Sequence, residues 1–107
     1  QDDIIKQMFD EQPDIDGVFA SDDLIALAVM REAEKRNLAM PEQLKLIGYD
    51  GTEIIRTIHP ELTTLCQPIH RISKTAVSLL EQQIAGTKPV AHEEIRHEID
   101  FYQGKTI

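Results

Sequence analysis

The chain has 107 residues, 41% of them apolar, enough for one small soluble α/β domain. Its formal charge is −8 and no Lys/Arg run exceeds two residues, which excludes direct contact with a nucleic-acid backbone, since that needs concentrated positive charge. A single cysteine, Cys66, forbids an internal disulfide and reads as a reduced, half-buried thiol, in keeping with a cytoplasmic protein. The longest apolar run, Leu24 to Met30, is too short to span a bilayer, and no export signal opens the chain.

Asp2 and Asp3 cap a first helix in which Ile4, Ile5, Met8 and Phe9 share a face, and Gln12-Pro13 ends it. Gly17-Val18-Phe19-Ala20 is a short run of β-favouring residues and reads as a buried strand. After Asp22 and Asp23, apolar residues recur at helical spacing from Leu24 to Arg36, with Asn37 as a left-handed cap. Leu44 to Tyr49 forms the second strand, broken by Asp50-Gly51, and Thr52 to Ile58 a short helix stopped at His59-Pro60, because the residue before proline disfavours helix. Thr63 to Cys66 is the third strand. Pro68 opens a helix whose positions Ile69, Ile72, Ala76, Leu79, Leu80 and Ile84 keep the helical period, and Gly86 closes it. Ile95, His97, Ile99 and Phe101 alternate with Glu94, Arg96, Glu98 and Asp100, the signature of an edge strand with one wet face.

Alternation of strands with helices favours an α/β fold with an open parallel sheet, right-handed crossovers and helices on both faces. The first helix has no strand before it, so residues 1–107 are expected to form a single domain cut short at its N-terminal side.

In open parallel sheets, ligands sit beyond the carboxyl ends of the strands. Asp22 and Asp23 end the first strand, Asp50 the second and Gln67 the third. Carboxylates accept hydrogen bonds from neighbouring hydroxyls and a glutamine amide both donates and accepts, which suits a sugar. The same residues also have plain local uses: Asp22 or Asp23 as a helix cap, Asp50-Gly51 as a turn pair. What points to a site is their coincidence at successive strand ends.

Four segments then resemble one family. Gly17-Val18-Phe19-Ala20-Ser21-Asp22-Asp23-Leu24-Ile25-Ala26-Leu27, Met40-Pro41-Glu42, Leu46-Ile47-Gly48-Tyr49-Asp50 and Pro60-Glu61-Leu62-Thr63-Thr64-Leu65-Cys66-Gln67-Pro68 are similar, in order, to motifs of LacI/GalR-type transcriptional regulators, and lean towards their sucrose-operon type. The resemblance implies part of the C-terminal lobe of a periplasmic-binding-protein-like (type I) core. In such a protein two lobes close on a sugar effector, and a DNA-binding headpiece and an N-terminal lobe lie outside this chain. It implies that Asp22, Asp50 and Gln67 contact the effector, that Asp23 is mainly a cap, and that Leu27 and Ile58 lie in a homodimer interface. Operator DNA would be reached only through the headpiece. Asp22 stands where the family usually has Asn, which removes a donor and adds charge near Asp50, so neutral polyols suit the site better than anions. The C-terminal Tyr102-Gln103-Gly104-Lys105-Thr106-Ile107 lacks the family's Arg-x-Ser/Thr ending, leaving the register of the last strand open.

An enzyme would need a nucleophile with its base, a metal cluster or a paired acid and base. His59, His70, His92 and His97 are scattered, with no metal-ligand spacing, so neither catalysis, cofactor nor metal is expected. His97 reads as a core or interface histidine. A phosphoacceptor receiver would share the pattern of Asp22, Asp23 and Asp50, but its lysine should end a strand, whereas Lys88-Pro89 falls in a loop. An exported solute-binding protein would share the sheet and the strand-end polar groups; a helix-turn-helix or a signal peptide upstream distinguishes the two.

Overall fold

A computed structural model of the chain describes residues 2–87 and 94–107. The elements in order are α1 (Asp2–Glu11), β1 (Gly17–Phe19), α2 (Asp23–Lys35), β2 (Lys45–Asp50), α3 (Glu53–Ile58), β3 (Thr64–Cys66), α4 (Ile69–Ala85) and β4 (Asp100–Tyr102). The sheet has the order β1-β2-β3-β4, and β1–β2 and β2–β3 pair in parallel. This is the expected α/β class with a mostly parallel sheet, and β4 takes the expected edge position.

The backbone separates into two compact units, one of residues 1–67 with 101–107 and one of residues 68–100. In the first, β2 alternates so that Leu46 and Gly48 are buried. Leu44, Leu46 and Leu62 are fully enclosed, and each contributes about 1.5–3 kcal/mol by leaving water. The buried face of α2 is mostly small, with Ala26, Ala28, Val29 and Ala33, so the helix axis can lie close to the sheet. Helix α1 docks through Ile5 and Phe9, which are one turn apart and both buried. Arg36 holds the two helices together: its Nε donates to Glu32 Oε1 at 2.9 Å, its Nη2 to Asp10 Oδ1 at 2.8 Å, and its guanidinium lies 5.3 Å from the centre of the Phe9 ring. The hydrogen bond from Asp10, then that from Glu32, raises the Arg36 pKa further above its ordinary value.

The C-terminal tail is stitched to the same unit. Thr106, 2% exposed, donates from Oγ1 to Leu46 O at 2.7 Å and accepts from Thr63 N at 3.0 Å. Leu46 N donates to Thr106 O at 2.8 Å and Lys105 N to Glu61 O at 2.6 Å, so the tail fills backbone positions that a further strand would otherwise occupy.

In the second unit, α4 runs as expected to Gly86, which takes the left-handed cap at φ 68°. None of its described residues is buried. The apolar period set the helix; an apolar stripe is covered only where another surface lies over it.

Several expectations need correction. Ile4 does not share the buried face of α1 and is 70% exposed, because it stands about 100° around the helix from Ile5. Asp2 and Asp3 lie inside the first turn rather than capping it. β1 is not buried on both sides: Val18 packs against the core while Phe19, pointing to the opposite face, is 65% exposed. The long final strand shrinks to Asp100–Tyr102, and residues 94–99 carry no regular structure. Alternation defines two faces, but a strand also needs a ladder partner, and Ile95 and Ile99 stay largely exposed. His92 and Lys88-Pro89 lie outside the described residues.

Candidate functional site

The strand-end polar residues all belong to the first unit. Phe19 pairs with Ile47 in the β1–β2 ladder and Asp50 with Cys66 in the β2–β3 ladder. Asp22 and Asp50 are therefore each three residues beyond a paired position, and Gln67 one beyond another, on the carboxyl edge of the sheet where open α/β folds take ligands.

Asp50 and Gln67 are brought into contact. Gln67 Nε2 donates to Asp50 Oδ1 at 2.6 Å, and Gln67 N donates to Asp50 O at 2.8 Å. This pins both ends of the aspartate and leaves Oδ2 without a hydrogen-bond partner among the described residues, able to accept from a ligand hydroxyl. Asp50 has φ 116°, a conformation that L side chains rarely adopt and that costs on the order of 1–3 kcal/mol. Such strain persists only where the surroundings over-determine it. Gly51 follows at φ 59°, and a Cβ there would come within 2.8 Å of Cys66 Cα, so only glycine fits that turn.

Asp22 caps α2: its backbone is extended, and Oδ1 accepts from Ile25 N at 2.8 Å, an interaction that contributes about 0.5–2 kcal/mol. It is half-buried, and among the described residues no hydrogen bond joins it to Asp50 or Gln67. Asp23 is not the cap. It is 3% exposed, with Oδ1 accepting from Thr64 Oγ1 at 2.6 Å and Oδ2 from Gly51 N at 2.8 Å. A Cβ at Gly48 would collide with its Oδ1, so the glycine of β2 makes the space that the carboxylate fills. Arg56 Nε donates to Gly51 O at 3.0 Å. Sequence reasoning missed the linking roles of Asp23, Thr64 and Arg56. The polar Thr63-Thr64 pair opening a short strand was the one signal that could have pointed to a buried partner.

Leu27 is half-buried and lines a depression of about 380 Å³ together with Met30, Leu38, Met40, His59 and Glu61. Ile58, the neighbour of His59, is 60% exposed. His59 Nδ1 and Glu61 Oε1 are 3.0 Å apart. Burial opposes the charge of Glu61, but its own backbone hydrogen bond and the His59 ring outweigh that and leave its carboxyl below the usual carboxylate range. Among the described residues no cluster of three or more His, Cys, Asp or Glu is placed to hold a metal ion, and no helix is long and apolar enough to cross a membrane. His97 keeps a buried Nε2 with no partner among the described residues.

Comparison with known proteins places the chain in a family. Residues 2–106 match the family described as "periplasmic binding protein-like domain". Over 68% of the chain it is 53% identical to the sucrose operon repressor of Pediococcus pentosaceus, of which it covers 22%. Over 94% of the chain it is 36% identical to the ribose operon repressor of Bacillus subtilis, of which it covers 31%. The fold superposes on a LacI family transcriptional regulator from Enterococcus faecium with bound ribose at a TM-score of 0.79, with 30% identity, over 98% of this chain and 38% of that one. The chain thus spans less than a third of the length of either curated relative.

Proposed function

Because the chain belongs to the periplasmic binding protein-like domain family, and its relatives include sugar-operon repressors and a ribose-bound LacI-family regulator, we propose that it is the effector-sensing portion of a LacI/GalR-type repressor. In this reading a neutral sugar sits beyond the carboxyl edge of the sheet. Asp50 accepts from its hydroxyls, Gln67 holds Asp50 and offers its own amide oxygen, and Asp22 lines the same rim while capping α2. A second lobe outside these residues closes over the sugar, and closure changes operator binding through a headpiece that is also outside them. Such coupling requires the sugar to bind the two states unequally. The reading includes a homodimer formed around Leu27 and Ile58, a cytoplasmic location and no catalytic role.

The observation that supports this reading is the Asp50–Gln67 pair at the carboxyl edge of the sheet: a strained backbone held by two hydrogen bonds from Gln67. The names of the relatives make sucrose and ribose the first sugars to try. In the full regulator, Asp50→Ala is expected to weaken binding of the cognate sugar at least tenfold by calorimetry, on the scale of a charge-assisted hydrogen bond. Unchanged affinity would remove Asp50 from the site.

A further inference from the structure

Asp22 and Asp23 are neighbours in sequence with different partners. Asp22 faces its own helix, whereas Asp23 reaches across the sheet. Its two oxygens take one hydrogen bond each, from the Thr64 hydroxyl and from the Gly51 amide. The first ties it to the start of β3. The second ties it to the peptide that directly follows Asp50, the residue with φ 116°.

The Asp50-Gly51 segment is held on every side. Gln67 N engages Asp50 O, Gln67 Nε2 engages Asp50 Oδ1, Arg56 Nε engages Gly51 O and Asp23 Oδ2 accepts from Gly51 N. Of these anchors only Asp23 lies wholly inside the fold. Thr64 is 0% exposed and Asp23 3% exposed, so water cannot take over from either. The carboxylate is also favoured where it sits, in the first turn of α2 at the positive end of the helix dipole.

We propose that Asp23 is a positioning residue of the sugar site: through the Gly51 amide it fixes the left-handed turn that aims the Asp50 carboxylate beyond the sheet edge, and Thr64 fixes Asp23. This rests on the reading of Asp50 as an effector ligand. Asp23 itself touches no sugar. Asp23→Asn can keep both contacts, its oxygen accepting from Gly51 N–H and its NH2 donating to the Thr64 hydroxyl, so the variant that removes the anchor is Asp23→Ala. Thr64→Val keeps shape and removes only the hydroxyl, and Thr64→Ser restores it.

The test is a double-mutant cycle in the full regulator, with sucrose and D-ribose as titrants in calorimetry. Asp23→Ala and Thr64→Val are each expected to weaken binding roughly tenfold or more with Asp50 present, and less than threefold in an Asp50→Ala background. Thr64→Ser should recover most of the loss. Equal losses in both backgrounds would mean that Asp23 only supports the fold, and would overturn the inference. An Asp50→Ala protein that binds sugar normally would sink the sugar-site reading instead. The turn can still be judged separately in the sugar-free protein: amide exchange at Gly51, followed by NMR, should accelerate at least about tenfold in Asp23→Ala, and an unchanged rate there refutes the positioning role.

Discussion

Glu61 shows how one carboxylate carries a pH dependence of its own. Burial works against its charge, but the backbone hydrogen bond at Glu61 and the His59 ring outweigh that, so its folded-state pKa lies below the ordinary carboxylate value of 4.5. The unfolded chain therefore takes up the proton first as acid is added. The stabilisation is fully present above about pH 4.5 and is lost as pH falls through the lower folded pKa. Glu61→Gln removes that titration, so the drop in Tm between about pH 5 and pH 3 should be shallower than in the parent protein. Identical acid limbs in a thermal melt series would show that the contacts lowering the Glu61 pKa do not hold in solution. The Glu61 side chain is more than a third exposed, so solvent screening keeps the effect small.

At the level of elements, the C-terminal tail depends on one hydroxyl. Thr106 Oγ1 serves Leu46 O on β2 and Thr63 N just before β3, and removing it strands two buried backbone groups 60 and 43 residues away from it in sequence. Thr106→Val is expected to destabilise the protein by about 2–4 kcal/mol, and Thr106→Ser by much less, in urea melts. Equal effects of the two would assign the loss to packing. Elements that rest on local patterning were legible in the sequence: α2 with Asn37 left-handed at φ 58°, α4 with its Gly86 cap, and β2 with its break at Asp50-Gly51. β4 was over-read because alternation is local while a ladder partner is not. The same divide runs through the site. Asp50 and Gln67 could be picked out because each ends a strand, but their contact spans 17 residues. The role of Asp23 depends on a hydroxyl 41 residues on and an amide 28 residues on, and on the Cβ that Gly48 lacks. No spacing rule encodes that convergence; it exists only once β1, β2 and β3 lie side by side.

On the scale of the whole molecule, one depression beside α2 mixes apolar and charged side chains, a composition that would suit a contact between two copies. Met30, Leu38 and Met40 are among its apolar residues, and Arg31, Glu34 and Glu61 supply the charges. Ile58 presents its side chain beside this surface at the end of α3, 60% exposed, where an aspartate can be introduced without entering the core of the protomer. If two copies meet here, a two-fold axis sets each face against its own equivalent, so one substitution places two unpaired carboxylates in the same contact. Ile58→Asp should therefore weaken dimerisation at least about tenfold, with the far-UV spectrum of the protomer unchanged. Sedimentation velocity over a dilution series would read this as a mass that falls to the monomer at concentrations where the parent protein is still dimeric. A variant that keeps the dimer mass throughout the series would place the interface elsewhere.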